Sequence, residues 1–185
     1  VQFQIKNKID GIVPCGTTGE SPTLDYEEHH KVIEIVIDAA KGKAPIIAGT
    51  GSNSTREAIE MTKKAAESGA DASLQVCPYY NKPTQEGLYR HFSAIAKAVD
   101  IPIIIYNIQG RTAVNLETST LARLAKEHSN IIGVKEASGN VAQMMEVVNE
   151  LPKSFTVLSG DDNLTLPLMA LGGKGVISVA SNIIP

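Results

Sequence analysis

Lys135 closes the run Ile131-Ile132-Gly133-Val134-Lys135-Glu136, an apolar segment that reads as a buried strand. Lysine is seldom buried without a partner. Desolvation moves a buried amine toward its neutral form, and a neutral amine attacks carbonyl carbons to form a Schiff base. A strand-end lysine that snorkels to water has the same local sequence, so its neighbours must decide. Gly16-Thr17-Thr18-Gly19-Glu20 offers two adjacent hydroxyls and glycine-flanked backbone N–H groups, a cradle for a carboxylate or a plain tight turn. Tyr79, Tyr80 and Tyr106 bring phenols. A phenol beside a Schiff-base lysine can shuttle protons, while a Tyr-Tyr pair also serves packing. Arg111 is either a solvated loop charge or a fork for a carboxylate. Asp161-Asp162 is expected to cap the following helix rather than to hold a metal. His29-His30 is expected on a helix surface, and Met144-Met145 in the core.

These residues need elements to position them. Seven short apolar runs read as strands: 11–15, 45–49, 73–77, 101–106, 131–134, 155–158 and 175–179. Near-continuous apolar strands suit a parallel sheet covered on both faces. Amphipathic stretches lie between them. Asp25-Tyr26-Glu27-Glu28 and Ser54-Thr55-Arg56-Glu57 are capping-box patterns. Thr84 and Asn140 open further helices, and apolar periodicity marks others around Leu121-Leu124 and Leu164-Leu171.

The β-then-α repeat fits an α/β fold, a (β/α)8 TIM barrel, with an open doubly wound sheet as the alternative. No G-x-G-x-x-G follows a strand, which argues against dinucleotide binding. In a barrel the strand C-termini form the active rim. Thr17, Tyr80, Tyr106, Arg111, Lys135 and Asp161 all follow or end predicted strands, and Ile177 lies near the end of the last. Seven strands do not close an eight-stranded barrel. The expectation is therefore a single, incomplete barrel domain over 1–185, an internal fragment of a longer chain.

Composition narrows the function classes. The chain is 43% hydrophobic and 20% charged with a net charge of -3, the balance of an ordinary globular protein. No basic stripe supports nucleic-acid binding. No apolar run approaches the ~18 residues of a membrane span. Cys15 and Cys77, each in an apolar segment, read as buried thiols in a reducing compartment. Four scattered histidines do not suggest a metal centre. A cytoplasmic location is expected.

Five segments occur in a telling order and spacing: Gly16-Thr17-Thr18-Gly19-Glu20-Ser21, Pro78-Tyr79-Tyr80-Asn81-Lys82-Pro83, Tyr106-Asn107 with Arg111-Thr112, Val134-Lys135-Glu136-Ala137-Ser138-Gly139, and Ser159-Gly160-Asp161-Asp162. Together they resemble the dihydrodipicolinate synthase family, among the pyruvate-dependent class I aldolases of the N-acetylneuraminate lyase superfamily. The resemblance covers essentially the whole chain. It implies a (β/α)8 barrel followed by a small helical region, with the first strand and that region lacking here. It implies condensation of pyruvate with L-aspartate-4-semialdehyde, the committed step toward diaminopimelate and lysine, without a metal or organic cofactor.

By the same resemblance, Lys135 forms the Schiff base. Tyr106, Thr17 and Tyr80 form a proton relay, Tyr80 reaching into a neighbouring subunit of a homotetramer built as a dimer of dimers. Thr18, Gly160 and Ile177 meet pyruvate, and Arg111 holds the semialdehyde carboxylate. Asn53, Glu57, Tyr79 and His29 match a lysine-inhibitor site, in which Tyr26 replaces a histidine found in some inhibited members. Related sequences commonly place Pro before and Gly after the Gly-Arg-Thr stretch; here Gln109 and Ala113 stand instead. Sister aldolases acting on N-acetylneuraminate or keto-deoxy sugar acids share the lysine and tyrosine, and a non-catalytic relative would keep the fold alone. Thr17-Thr18 with Arg111 favours the synthase, and no relay residue is lost.

Overall fold

The computed structural model describes residues 1–185. Six parallel strands form one sheet: β1 (Ile47–Gly49), β2 (Ala72–Val76), β3 (Ile103–Asn107), β4 (Ile131–Glu136), β5 (Thr156–Ser159) and β6 (Gly175–Val176). Helices α1 (Gln2–Lys6) and α2 (Tyr26–Ala40) precede β1. Each later crossover carries a helix: α3 (Thr55–Glu67), α4 (Gln85–Ala98), α6 (Thr118–Glu127), α7 (Val141–Glu150) and α8 (Thr165–Leu171), with the short α5 (Gln109–Thr112) leading into α6. Strand order in the sheet follows the chain from β1 to β6. A doubly wound sheet reverses its order at a switch point, and this one does not. The sheet is an open part of a (β/α)8 barrel.

The first predicted strand, 11–15, is reduced to a single parallel bridge from Ile12 to Ile46. Ile12 N–H donates to the Pro45 carbonyl at 2.9 Å, and Gly49 N–H to the Pro14 carbonyl at 3.0 Å. The ladder stops there because Pro14 has no N–H to give and Cys15 turns to a left-handed φ of 53°. The last predicted strand is also shorter. Ile177 N–H still reaches the Ser159 carbonyl at 2.9 Å, but the chain then enters a 3-10 turn over Ala180–Asn182.

Alternation along the strands divides the core in two. Ile103 and Ile105 of β3 join a cluster of 20 buried residues between the sheet and the helices, with Leu88, Phe92, Leu121 and Met144. Ile104 and Tyr106 point the other way, into the barrel, with Leu74 and Ala137. Met145 faces outward and is exposed, so only one methionine of the pair fills the core.

Short-range chemistry starts the helices. Asp25 accepts from Glu28 N–H at 2.8 Å while the Glu28 carboxylate accepts from Asp25 N–H, a complete capping box. Thr84 caps α4 through Gly87 N–H, and Asn140 caps α7 through Ala142 and Gln143. At α3 only half of the expected box forms. Ser54 accepts from Glu57 N–H, but the Glu57 carboxylate turns to the Ser52 hydroxyl at 2.9 Å.

Candidate active site

Tyr106 and Lys135 are register partners on adjacent strands, so both side chains enter the barrel near the strand C-termini. Lys135 is 8% exposed, and its Nζ lies 4.0 Å from the centre of the Tyr106 ring. None of the chain's ion pairs includes it. Burial pulls its pKa down to about 8; the charges of Asp161 and Asp162 oppose the shift, and Arg111 adds to it. Gly160, at the end of β5, makes room for the amine's stem. A Cβ there would lie 2.5 Å from Ala137 Cβ and 3.0 Å from Lys135 Cε.

Burial raises the Tyr106 pKa, while the Thr17 hydroxyl and the Arg111 charge act in the opposite sense. Thr17 belongs to a tight turn in which Gly19 N–H donates to the Gly16 carbonyl and Glu20 N–H to the Thr17 carbonyl, both at 3.1 Å. Thr18, on the same turn, is exposed and stands off the cavity wall. Ile177 packs on the interior cluster of Leu74, Ile104, Tyr106 and Ala137. Arg111 rides on α5 and faces a cavity of about 700 Å³ that it shares with Thr17 and Tyr106.

Ala113, just after α5, sits at φ 58°, in the left-handed region. An L-residue there costs roughly 1–2 kcal/mol. Ala113→Gly is expected to raise unfolding stability by about 1 kcal/mol, as read from denaturant midpoints at constant slope.

The far end of the cavity gathers Tyr26, His29, Glu57 and Tyr79. His29 is buried, not on the surface as expected. It lies one turn before Ile33 on the inward face of α2. Burial lowers its pKa, partly offset by a hydrogen bond to the Gly49 backbone. Cys15 Sγ meets the His29 carbonyl at 3.4 Å. Asn53 stands behind this wall and donates to the Tyr79 carbonyl at 3.1 Å. Burial and a hydrogen bond to Glu57 push the Tyr26 phenol up to about 12.

Tyr80 is not brought to this chain's own cavity; it is 89% exposed, on a backbone with φ 73°. The capping expected of the Asp161-Asp162 pair is not found. Asp162 does not cap the helix that follows it. Its carboxylate accepts from Val179 N–H at 3.1 Å and Ala180 N–H at 3.0 Å, which ties the β5 end to the turn after β6. Asp161 makes no side-chain cap either. The sequence reading marks Cys15 only as a buried thiol, and passes over Ser52 on the same cavity wall and the polar residues around Glu136. The one signal for the latter was a carboxylate ending an apolar strand. No three His, Cys, Asp or Glu side chains are placed to share a metal ion, and no helix is long and apolar enough to cross a membrane.

Fold and site together define a (β/α)8-barrel protein with a buried, unpaired amine at its strand-end rim. The chain belongs to the dihydrodipicolinate synthetase family, which it matches over residues 1–185. It is 63% identical over 185 residues to the 4-hydroxy-tetrahydrodipicolinate synthase of Syntrophus aciditrophicus (strain SB), covering 100% of this chain and 63% of that protein. It is similar to the structure of the 4-hydroxy-tetrahydrodipicolinate synthase from the methanotroph Methylacidiphilum fumariolicum SolV, with a TM-score of 0.99, 53% identity, and coverage of 100% of this chain and 61% of that one. For dihydrodipicolinate synthase from Aquifex aeolicus the TM-score is 0.98 at 56% identity, covering 100% and 63%. The chain thus spans under two thirds of the length of these relatives.

Proposed function

We propose that this chain supplies the catalytic rim of an enzyme that condenses pyruvate with L-aspartate-4-semialdehyde to 4-hydroxy-tetrahydrodipicolinate, on the path to diaminopimelate and lysine. One observation carries the reading: the Lys135 amine is buried, free of any carboxylate partner, and set against Tyr106. Its lone pair attacks the pyruvate ketone carbon. The ketone oxygen takes protons from the Tyr106–Thr17 relay and leaves as water, giving an iminium. The iminium draws electrons from the methyl group, whose proton departs to leave an enamine. The enamine carbon bonds to the aldehyde carbon, and the aldehyde oxygen is protonated. The semialdehyde's own amine then adds to the regenerated iminium carbon, closing the ring, and the C–N bond to Lys135 breaks to free the lysine amine and the cyclic product. Arg111 holds the semialdehyde carboxylate in a bidentate fork, while Gly160 and Ile177 shape the pyruvate pocket. This sequence requires neither a metal nor an organic cofactor.

The exposure of Tyr80 fits a residue that completes a neighbouring subunit's relay, within a dimer of dimers. Residues 1–185 then act as part of one barrel domain in a cytoplasmic enzyme. The far end of the cavity, with His29, Glu57, Tyr79 and nearby Asn53, is the proposed lysine-inhibitor site, its carboxylate suited to an ammonium group.

A protonated Lys135 is inert, so kcat/KM is expected to rise with pH and level off above about 8. A profile flat from pH 6 to roughly 9 would contradict this role for the amine. Initial rates with pyruvate and L-aspartate-4-semialdehyde, set beside N-acetylneuraminate cleavage, test the substrate assignment. Faster turnover of N-acetylneuraminate would reject it.

A further inference from the structure

Glu136 follows Lys135 directly but points the opposite way, into the layer between sheet and helices. It is 1% exposed, and no cationic side chain pairs with it. Its oxygens accept only from neutral donors: Ser138 N–H at 2.7 Å, Asn107 Nδ2 at 3.2 Å and Gln143 Nε2 at 3.4 Å. A buried carboxylate without a cation is costly, and such networks persist only when every member is satisfied.

The partners show what the network holds. Asn107 ends β3, next to Tyr106. Its Nδ2 also donates to Asn115 Oδ1 at 2.9 Å, and its Oδ1 accepts from Leu116 N–H at 3.0 Å. Asn115 Nδ2 donates to Gln143 Oε1 at 2.8 Å, and Gln143 Nε2 reaches the Leu116 carbonyl at 3.3 Å. The segment 108–114 leaves and returns between these clamps, and it carries Arg111. Within it, Thr112 Oγ1 donates to the Ile108 carbonyl at 3.0 Å.

We propose that Glu136, with Asn107, Asn115 and Gln143, is a positioning device that fixes the Arg111 loop relative to Lys135. The side chains that alternate inward at the ends of β3 and β4 are Tyr106 and Lys135. Those that alternate outward, Asn107 and Glu136, set the distance at which the guanidinium meets a second substrate. The role assigned to Arg111 rests on the proposed function; the clamp itself does not.

The test uses Glu136→Gln in the full-length protein. The new amide places a donor among Ser138, Asn107 and Gln143, which are donors already. Misplacement on the order of 1 Å costs up to about 100-fold. KM for L-aspartate-4-semialdehyde is expected to rise about 10- to 100-fold, with pyruvate trapping on Lys135 within about twofold of the parent. In an Arg111→Ala background the same change is expected to add less than about twofold, because coupled residues are not additive. Amide exchange at Leu116 is expected to accelerate while that of β4 stays slow. Asn115→Ala leaves Glu136 its three donors and breaks the clamp from the loop side; it is expected to raise the same KM and to speed exchange at Leu116. An equal KM effect with and without Arg111, or unaltered exchange at Leu116, would overturn the proposal. If Glu136→Gln fails to fold, Asn115→Ala decides, and an unchanged KM there would overturn the proposal. If the parent fails to trap pyruvate, the proposed function falls, and exchange at Leu116 alone decides the clamp.

Discussion

Lys135→Met is expected to abolish covalent capture of pyruvate and to lower kcat by about 10⁴-fold or more, since removal of a sole nucleophile leaves only binding and electrostatics. Methionine conserves the volume of the lysine stem and suits an interior that already holds Tyr106, Ile177 and Leu158. It also removes the cost of desolvating an amine. The variant should therefore melt no lower than the parent. Steady-state rates together with thermal unfolding separate the two effects. A kcat within tenfold of the parent would mean that the amine takes no covalent part.

Tyr106→Phe is expected to lower kcat by about 10²–10³-fold, the range for loss of a positioned proton-transfer group. The ring stays under the Lys135 amine, so packing survives. What disappears is the phenol, whose pKa burial raises and which faces the Thr17 hydroxyl. Both addition of the amine to the ketone carbon and loss of water from the resulting carbinolamine need that proton. Single-turnover kinetics should show slowed iminium formation with little change in pyruvate binding. A variant that forms the iminium at the parent rate would remove Tyr106 from the relay.

The features legible in the sequence were those set by short-range chemistry and strand alternation. Asp25, Thr84 and Asn140 cap their helices because a side-chain oxygen three residues before a free N–H is a local fact. Lys135 and Tyr106 end apolar runs, and their pairing follows once the strands are parallel. The misplaced features depend on contacts across the fold. Glu57 leaves its capping box because Ser52 and Tyr26 compete for its carboxylate. His29 is buried because α2 lays that face against the Cys15 thiol and the Gly49 backbone. Asp162 caps a turn 18 residues downstream, at Ala180, rather than its own helix. Strand 11–15 shrank to a bridge through the backbone of Pro14 and Cys15. The clamp around Glu136 was hidden for the same reason, since Asn107, Asn115 and Gln143 meet only when three elements pack.

Borohydride reduction in the presence of pyruvate, followed by peptide mass analysis of the full-length protein, addresses the central claim most directly. A reduced pyruvyl increment on the peptide that carries Lys135, and on no other lysine, is the predicted result. Absence of any increment, or its appearance on a different lysine, would contradict it.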